Sequence, residues 1–343
     1  MMLQLDKLKE ILLLNAYTVE SLGYLNGKAG TALTLFELAR YLNDDSIENH
    51  AFDLLQETLA YDITDNEFSN GKAGIAYVVH YLIKNRFLDA DYLELYGKQQ
   101  EGIIESIVSQ HKGQNPYKWI GDLFFILSLS VFIPRKNYIE CLNILSTNIF
   151  KELDDLHEKA SLETAITFYN YTSKLLNLCC SVNIPDDVVN QILHKIKRTN
   201  KKLSDQDCIC NNLLYPILLF FCSKKQQEQD IQKNATNLIQ ETMKNILIPT
   251  LDFRQKTDLI FNIFRLYRLD HKLDFRDSAD NILKTIIDDD TAILEEKIYN
   301  NIFKKPEDSI GIGTGISRLI LLVIYLNEIR TGNLSEHIVE LFN

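Results

Sequence analysis

The most suggestive chemistry in this sequence belongs to two lysines at matching places in a repeated pentapeptide. Asn-Gly-Lys-Ala-Gly occurs from Asn26 to Gly30 and again from Asn70 to Gly74, 44 residues further on. Each copy runs into an apolar stretch with helical spacing, so Lys28 and Lys72 fall in the first turn of a helix. There the macrodipole disfavours a cation by about 0.3 to 1 kcal/mol. A local rule broken twice at equivalent positions points to use. Together with the adjacent backbone N–H groups at each helix start, the lysines could hold a peptide carboxylate or another anion. The opposing reading is two solvated lysines kept through a duplication.

Other residue types offer less. Cys208 and Cys210 form a Cys-x-Cys pair, but without histidines nearby they fall short of the four ligands that a structural zinc takes. Cys141, Cys179, Cys180 and Cys222 read as reduced, small core residues in a chain whose start lacks a secretion signal. Asp122, Glu163 and Asp258 stand near helix starts, where acids could act as a pair across a cavity or simply complete a helix start. Asp207 follows Ser204 at capping-box spacing and reads as a helix start. His80 lies among Val78, Val79, Tyr81 and Leu82 and reads as a core histidine. His50, His111, His194, His271 and His337 show no partner spacing. Trp119, the only tryptophan, could line a cavity as an apolar platform or pack against Phe124.

These residues are carried by helices. Apolar positions recur at three- and four-residue spacing along the chain, and alternating strand patterns are absent, so the sequence predicts an all-α protein. Breakers divide it into helices near 2–20, 27–42, 45–61, 71–86, 89–110, 118–133, 135–156, 160–182, 185–202, 207–224, 226–247, 250–268, 273–299 and 310–330. The second helix of each pair tends to be apolar on most sides, and a helix apolar all round must be surrounded by others. Gly311-Ile312-Gly313-Thr314-Gly315 is a looser relative of the pentapeptide. With the two copies it holds seven of the thirteen glycines. A repeat of this period marks an array. Because the first and last inner helices begin alike, the array is expected to close into an α/α toroid, a double ring of about seven helical hairpins spanning residues 1–343 as one domain. The glycines Gly27, Gly30, Gly71 and Gly74 would let inner helices approach closely.

Read over the whole chain, a net charge of -11 with no basic stretch argues against nucleic acid and anionic membrane surfaces. No apolar run reaches the roughly 18 residues needed to span a bilayer, and Asp6, Lys7, Lys9 and Glu10 interrupt any signal core, so a cytoplasmic protein is expected.

Glycine-led inner helices in such a ring resemble the lanthionine synthetase C-like family, the lanthipeptide cyclases and their relatives. The matching motifs are Gly-Tyr-Leu-Asn-Gly-Lys-Ala-Gly at 23–30, Ser-Asn-Gly-Lys-Ala-Gly-Ile-Ala at 69–76 and the segment from Gly311 to Gly315. The resemblance implies a toroid and a place in ribosomal peptide modification. In members that close thioether rings it implies one zinc at the starts of the fourth, fifth and sixth inner helices, turning a bound thiol into a thiolate nucleophile. This chain departs there. Ser161 to Thr164 lacks a His-Gly pair, with His157 upstream, and Gln255 to Asp258 has neither Cys nor His. Only Cys208 could match. The resemblance therefore implies a zinc-poor pseudoenzyme that binds a precursor peptide or a peptide-modification enzyme at the cavity edge near Asn26, Lys28, Asn70, Lys72 and Trp119. Two alternatives stay open. One is an active zinc-dependent cyclase using Cys208, Cys210 and a histidine, and the other is a glycoside hydrolase-like enzyme using the acids above.

Overall fold

In the computed structural model, the described residues are 2–109, 116–158, 171–172, 175, 186–203, 216–220, 229–244, 251, 253–269, 276–286, 310–313 and 315–331. Every regular element among them is helical. The helices are α1 (Met2–Asn15), α2 (Lys28–Leu42), α3 (Asp45–Ala60), α4 (Lys72–Lys84), α5 (Tyr92–Ser109), α6 (Pro116–Ser128), α7 (Arg135–Glu158), α8 (Asp186–Leu203), α9 (Gln229–Met243), α10 (Phe253–Leu269), α11 (Arg276–Ile286) and α12 (Ile316–Thr331). Short 3-10 turns follow α1 and α6. The chain divides into two compact units, Met1–Ser146 with Ile287–Phe342, and Thr147–Ile286.

In the first unit α12, α2, α4 and α6 are neighbours in that order, while α1 packs on α12, α3 on α2 and α5 on α4. The inner set is buried as its composition demands. Every residue of α2 from Lys28 to Ala39 is buried, and its two buried threonines return their hydroxyls to the helix, Thr31 to Gly27 O at 3.0 Å and Thr34 to Gly30 O at 3.0 Å. The outer helix α3 buries only the stripe Ile47, Ala51, Leu54, Leu55 and Thr58. It starts where Asp44 accepts from the Ser46 N–H at 3.0 Å, which satisfies one of the donors that a helix start leaves open. The expected alternation of buried inner and amphipathic outer helices holds across these pairs.

Three boundaries differ from the sequence reading by more than four residues, for local reasons. α1 ends at Asn15 rather than near 20, where the chain tightens into a 3-10 turn. α6 stops at Ser128, and Ser130–Phe132 forms its own turn. The last helix begins at Ile316 rather than 310, because the glycines before it form a docked loop. Most of the expected helices at 160–182 and 207–224 lies outside the described residues, as does the end of that at 273–299.

In the second unit α10 packs against α11, burying Leu259, Ile260, Phe261, Ile263 and Phe264. α8 corrects the charge reading made on the whole chain: Lys195, Lys197, Arg198, Lys201 and Lys202 crowd its C-terminal half, with no acid between Asp187 and Asp205. The net charge of -11 averages this segment away. Among the described residues no helix is long and apolar enough to cross a membrane.

Candidate functional site

The two pentapeptides fold alike because each loop turns back over the start of its own helix. The N–H groups of Lys28, Ala29 and Gly30 donate to Ser21 O at 2.9 Å, Leu22 O at 3.3 Å and Gly23 O at 3.3 Å. In the second copy Gly71 N–H donates to Glu67 O at 2.9 Å and Lys72 N–H to Asp65 O at 2.8 Å. These donors, counted toward an anion site from the sequence, are therefore committed to loop carbonyls. The fold-back also explains the second glycine of each copy. A Cβ at Gly30 would lie 1.9 Å from Tyr24 O, and one at Gly74 2.1 Å from Phe68 O. None of these glycines has positive φ, so the requirement is space rather than left-handed backbone. The close approach is thus loop on helix first, with neighbouring motifs second.

Neighbouring motifs meet in one repeated way. Leu25 N–H donates to Ser69 O at 2.9 Å, and Gly313 N–H donates to Leu25 O at 2.7 Å. A Cβ at Gly23 would lie 2.2 Å from the Asn70 Cα, and one at Gly311 2.6 Å from the Asn26 Cα. A Cβ at Gly74 would lie 2.7 Å from the Tyr24 Cβ, as one at Gly30 would lie 3.2 Å from Ile312 Cδ1. The segment near the chain's end therefore sits on the first motif as the first sits on the second. Beneath the loops Tyr24, Phe68, Tyr77 and Phe124 form a continuous aromatic cluster, with centroids 5.3 Å apart for Tyr24 and Phe68 and 5.1 Å for Phe68 and Phe124. Burial pushes the Tyr24 hydroxyl well above its ordinary value, partly offset by Arg318, so that hydroxyl keeps its proton.

The five residues singled out from the sequence separate. Lys28 is only 6% exposed and forms an ion pair with Glu57. Lys72 reaches Asp62 at 3.7 Å, and Asp62 is 94% exposed. Both lysines thus grip the end of α3 and the loop after it, which is what a sequence reading of two open cations missed. Asn26 is half-buried, and its Oδ1 lies 2.6 Å from where a Gly313 Cβ would be. Trp119 is 3% exposed, which leaves it little face for a platform. Asn70 is exposed, so Asn70 and Lys72 form the accessible part.

The remaining candidates are placed as follows. Asp122 is 1% exposed and close enough to Cys141 that, after burial and Glu140, it helps raise that thiol to about 11. His80 packs edge-on to Tyr92 and Phe132 and is half-buried, at the margin of the core rather than inside it. His50 accepts or donates to the Tyr17 hydroxyl at 3.0 Å. Cys208, Cys210 and Glu163 lie outside the described residues. Among the described residues no three His, Cys, Asp or Glu side chains group as a metal ion would need.

A polar constellation that the sequence reading passed over joins α2 to α4. Buried Glu37 accepts from the Tyr81 hydroxyl and pairs with Arg40, whose guanidinium lies 4.5 Å over the Phe87 ring. Burial raises the Glu37 carboxyl above its ordinary value against the pull of Arg40 and Tyr81. Glu37 and Tyr81 are 44 residues apart, the repeat period itself, which was the available signal. No protein-family model matches the chain, and no curated protein matches it.

Proposed function

We propose that the chain is a lanthionine synthetase C-like protein, a closed α/α toroid of about seven hairpins, that binds a peptide or a peptide-modification enzyme without catalysing ring closure itself. The observation that supports it is the repeated motif contact: the N–H of Gly313 meets Leu25 O as the N–H of Leu25 meets Ser69 O. An array whose last element docks on its first by the contact that joins its first and second is an array built to close. The exposed edge of these loops, at Asn70 and Lys72, offers an amide and a half-neutralised cation, a combination suited to holding peptide backbone or a carboxylate. Lys28 and Trp119 are buried and Asn26 is half-buried, so they offer a peptide less surface than Asn70 and Lys72 do.

The lack of catalysis is argued from sequence, since the fourth and sixth inner-helix starts carry no zinc ligand. The test uses the full chain and a fluorescent peptide rich in Ser, Thr and Cys. Expected is metal-independent binding that weakens about tenfold in Asn70→Ala/Lys72→Ala, the loss of roughly 1.4 kcal/mol. About one zinc per chain, together with thioether formation on a dehydrated peptide, would overturn the reading.

A further inference from the structure

We propose that the solvent face of α8 is a docking surface for a short, acid-rich peptide segment of a partner protein. Residues 194–202 read His-Lys-Ile-Lys-Arg-Thr-Asn-Lys-Lys and contain no acid. Ile192, Leu193 and Ile196 bury the inner face of the helix, while His194, Lys197 and Arg198 are exposed on the other. Neither Lys197 nor Arg198 has an ion pair among the described residues.

Such crowding runs against local stability. Like charges three and four apart destabilise a helix by about 0.2 to 0.5 kcal/mol per pair, and Lys195, Lys197, Arg198, Lys201 and Lys202 are linked by such spacings. Cations near a helix C-terminus gain from the dipole, but that gain is confined to the last turn and does not reach Lys195. Burial first, and then the neighbouring Arg198, lowers the Lys195 ammonium below its ordinary value. The same helix already accepts one carboxylate, since Lys195 pairs with Asp154 of α7. A row of further carboxylates would relieve the rest.

Size and charge select the occupant. From His194 to Lys202 the helix rises about 12 Å, the length of three or four extended peptide residues at roughly 3.3 Å each. Within its own unit the residues outside this segment carry -4, fourteen Lys and Arg against eighteen Asp and Glu. A longer polyanion laid along the helix would run back onto Asp186 and Asp187 at its start, with repulsion acting over a Debye length of about 8 Å, whereas a segment of three or four acids stays on residues 194–202, which contain none. All residues invoked belong to the second unit, so the inference does not depend on the toroid.

The test is fluorescence anisotropy on the full chain with a labelled peptide of alternating Glu and Gly, against its Gln counterpart, a single-stranded oligonucleotide and phosphatidylserine vesicles. Expected is binding of the Glu peptide alone or most tightly, weakened about tenfold in Lys197→Gln/Arg198→Gln and unchanged in Lys98→Gln, an exposed cation of the first unit. Gln matches Lys in helix propensity, and circular dichroism confirms that α8 persists. With the unaltered protein, affinity must fall as salt rises. A salt-independent affinity, equal binding of the Glu and Gln peptides, indifference to the double substitution, or tighter binding of the oligonucleotide or vesicles overturns the proposal.

Discussion

The two Asn-Gly-Lys-Ala-Gly segments are identical in sequence and nearly identical in backbone, yet their lysines and asparagines live in different surroundings. In the first copy Lys28 is buried against Glu57, and Asn26 is covered by Gly311 and Gly313. In the second, Lys72 reaches an exposed Asp62, and Asn70 is open to solvent. The backbone outcome follows from the pentapeptide itself, because the glycines leave room for the loop carbonyls. The side-chain outcome follows from what happens to lie next to each copy. Identical motifs can thus serve one as scaffold and the other as surface.

The comparison is broken most severely at the glycines. Gly74→Ala and Gly30→Ala each force a methyl onto a backbone carbonyl, and each is expected to cost about 3 kcal/mol or more in denaturant unfolding. Gly102→Ala, which meets nothing within 4 Å on the exposed face of α5, should instead stabilise by roughly 0.5 to 1 kcal/mol. Equal effects at the three sites would refute the fold-back.

Next come the substitutions that test the first copy's extra neighbour. At Gly311 a Cβ meets Leu25 O at 2.4 Å, and at Gly313 it meets the movable Asn26 Oδ1 at 2.6 Å. Gly311→Ala should cost about 2 kcal/mol and Gly313→Ala about 1 kcal/mol. Neutrality at both positions would mean that the last motif does not dock on the first.

The lysines give a smaller contrast. Lys28→Met removes the partner of a half-buried carboxylate and should cost about 1 to 2 kcal/mol after allowance for solvent at Glu57. Lys72→Met should change stability by less than about 0.5 kcal/mol. A reversed order in thermal unfolding would contradict the burial difference.

Glu37, which ties the two inner helices together, supplies a pH test. Its folded carboxyl is raised above the ordinary value of 4.5, so the folded state holds a proton that the unfolded state has released. That contribution is full below the unfolded value and is lost as pH rises through the folded one. Denaturation midpoints of Glu37→Gln should therefore fall less than those of the unaltered protein as pH rises from the ordinary glutamate value upward. Parallel pH profiles would show that folding leaves the proton affinity of the Glu37 carboxyl unchanged.

Much of the helical plan was legible because it is written in local spacing. The helices expected at 27–42 and 45–61 run from Lys28 to Leu42 and from Asp45 to Ala60, since Gly27, Asp44 and the apolar stripes mark their limits within a few residues. The expectation failed where glycine stood in an apolar run, as at 310–315, because periodicity does not distinguish a helix from a loop held by neighbours. The candidate site was half legible. The pentapeptide singled out Asn26, Lys28, Asn70 and Lys72 alike as binding residues, and of these Asn70 is exposed and Lys72 partly so. Glu57 lies 29 residues beyond Lys28, and Gly313 lies near the other end of the chain. Nothing at Lys28 or Asn26 encodes those encounters.

By itself the sequence determined an all-helical chain, its repeat period, and the glycine positions at which a carbonyl can come within contact of a helix, since each depends on residues close in sequence. Only tertiary structure decided which lysine is buried, which asparagine is covered, and that the last glycine segment lies against the first. Those outcomes depend on groups brought together across long stretches of chain, where burial and charge pairing act on whatever the fold makes adjacent.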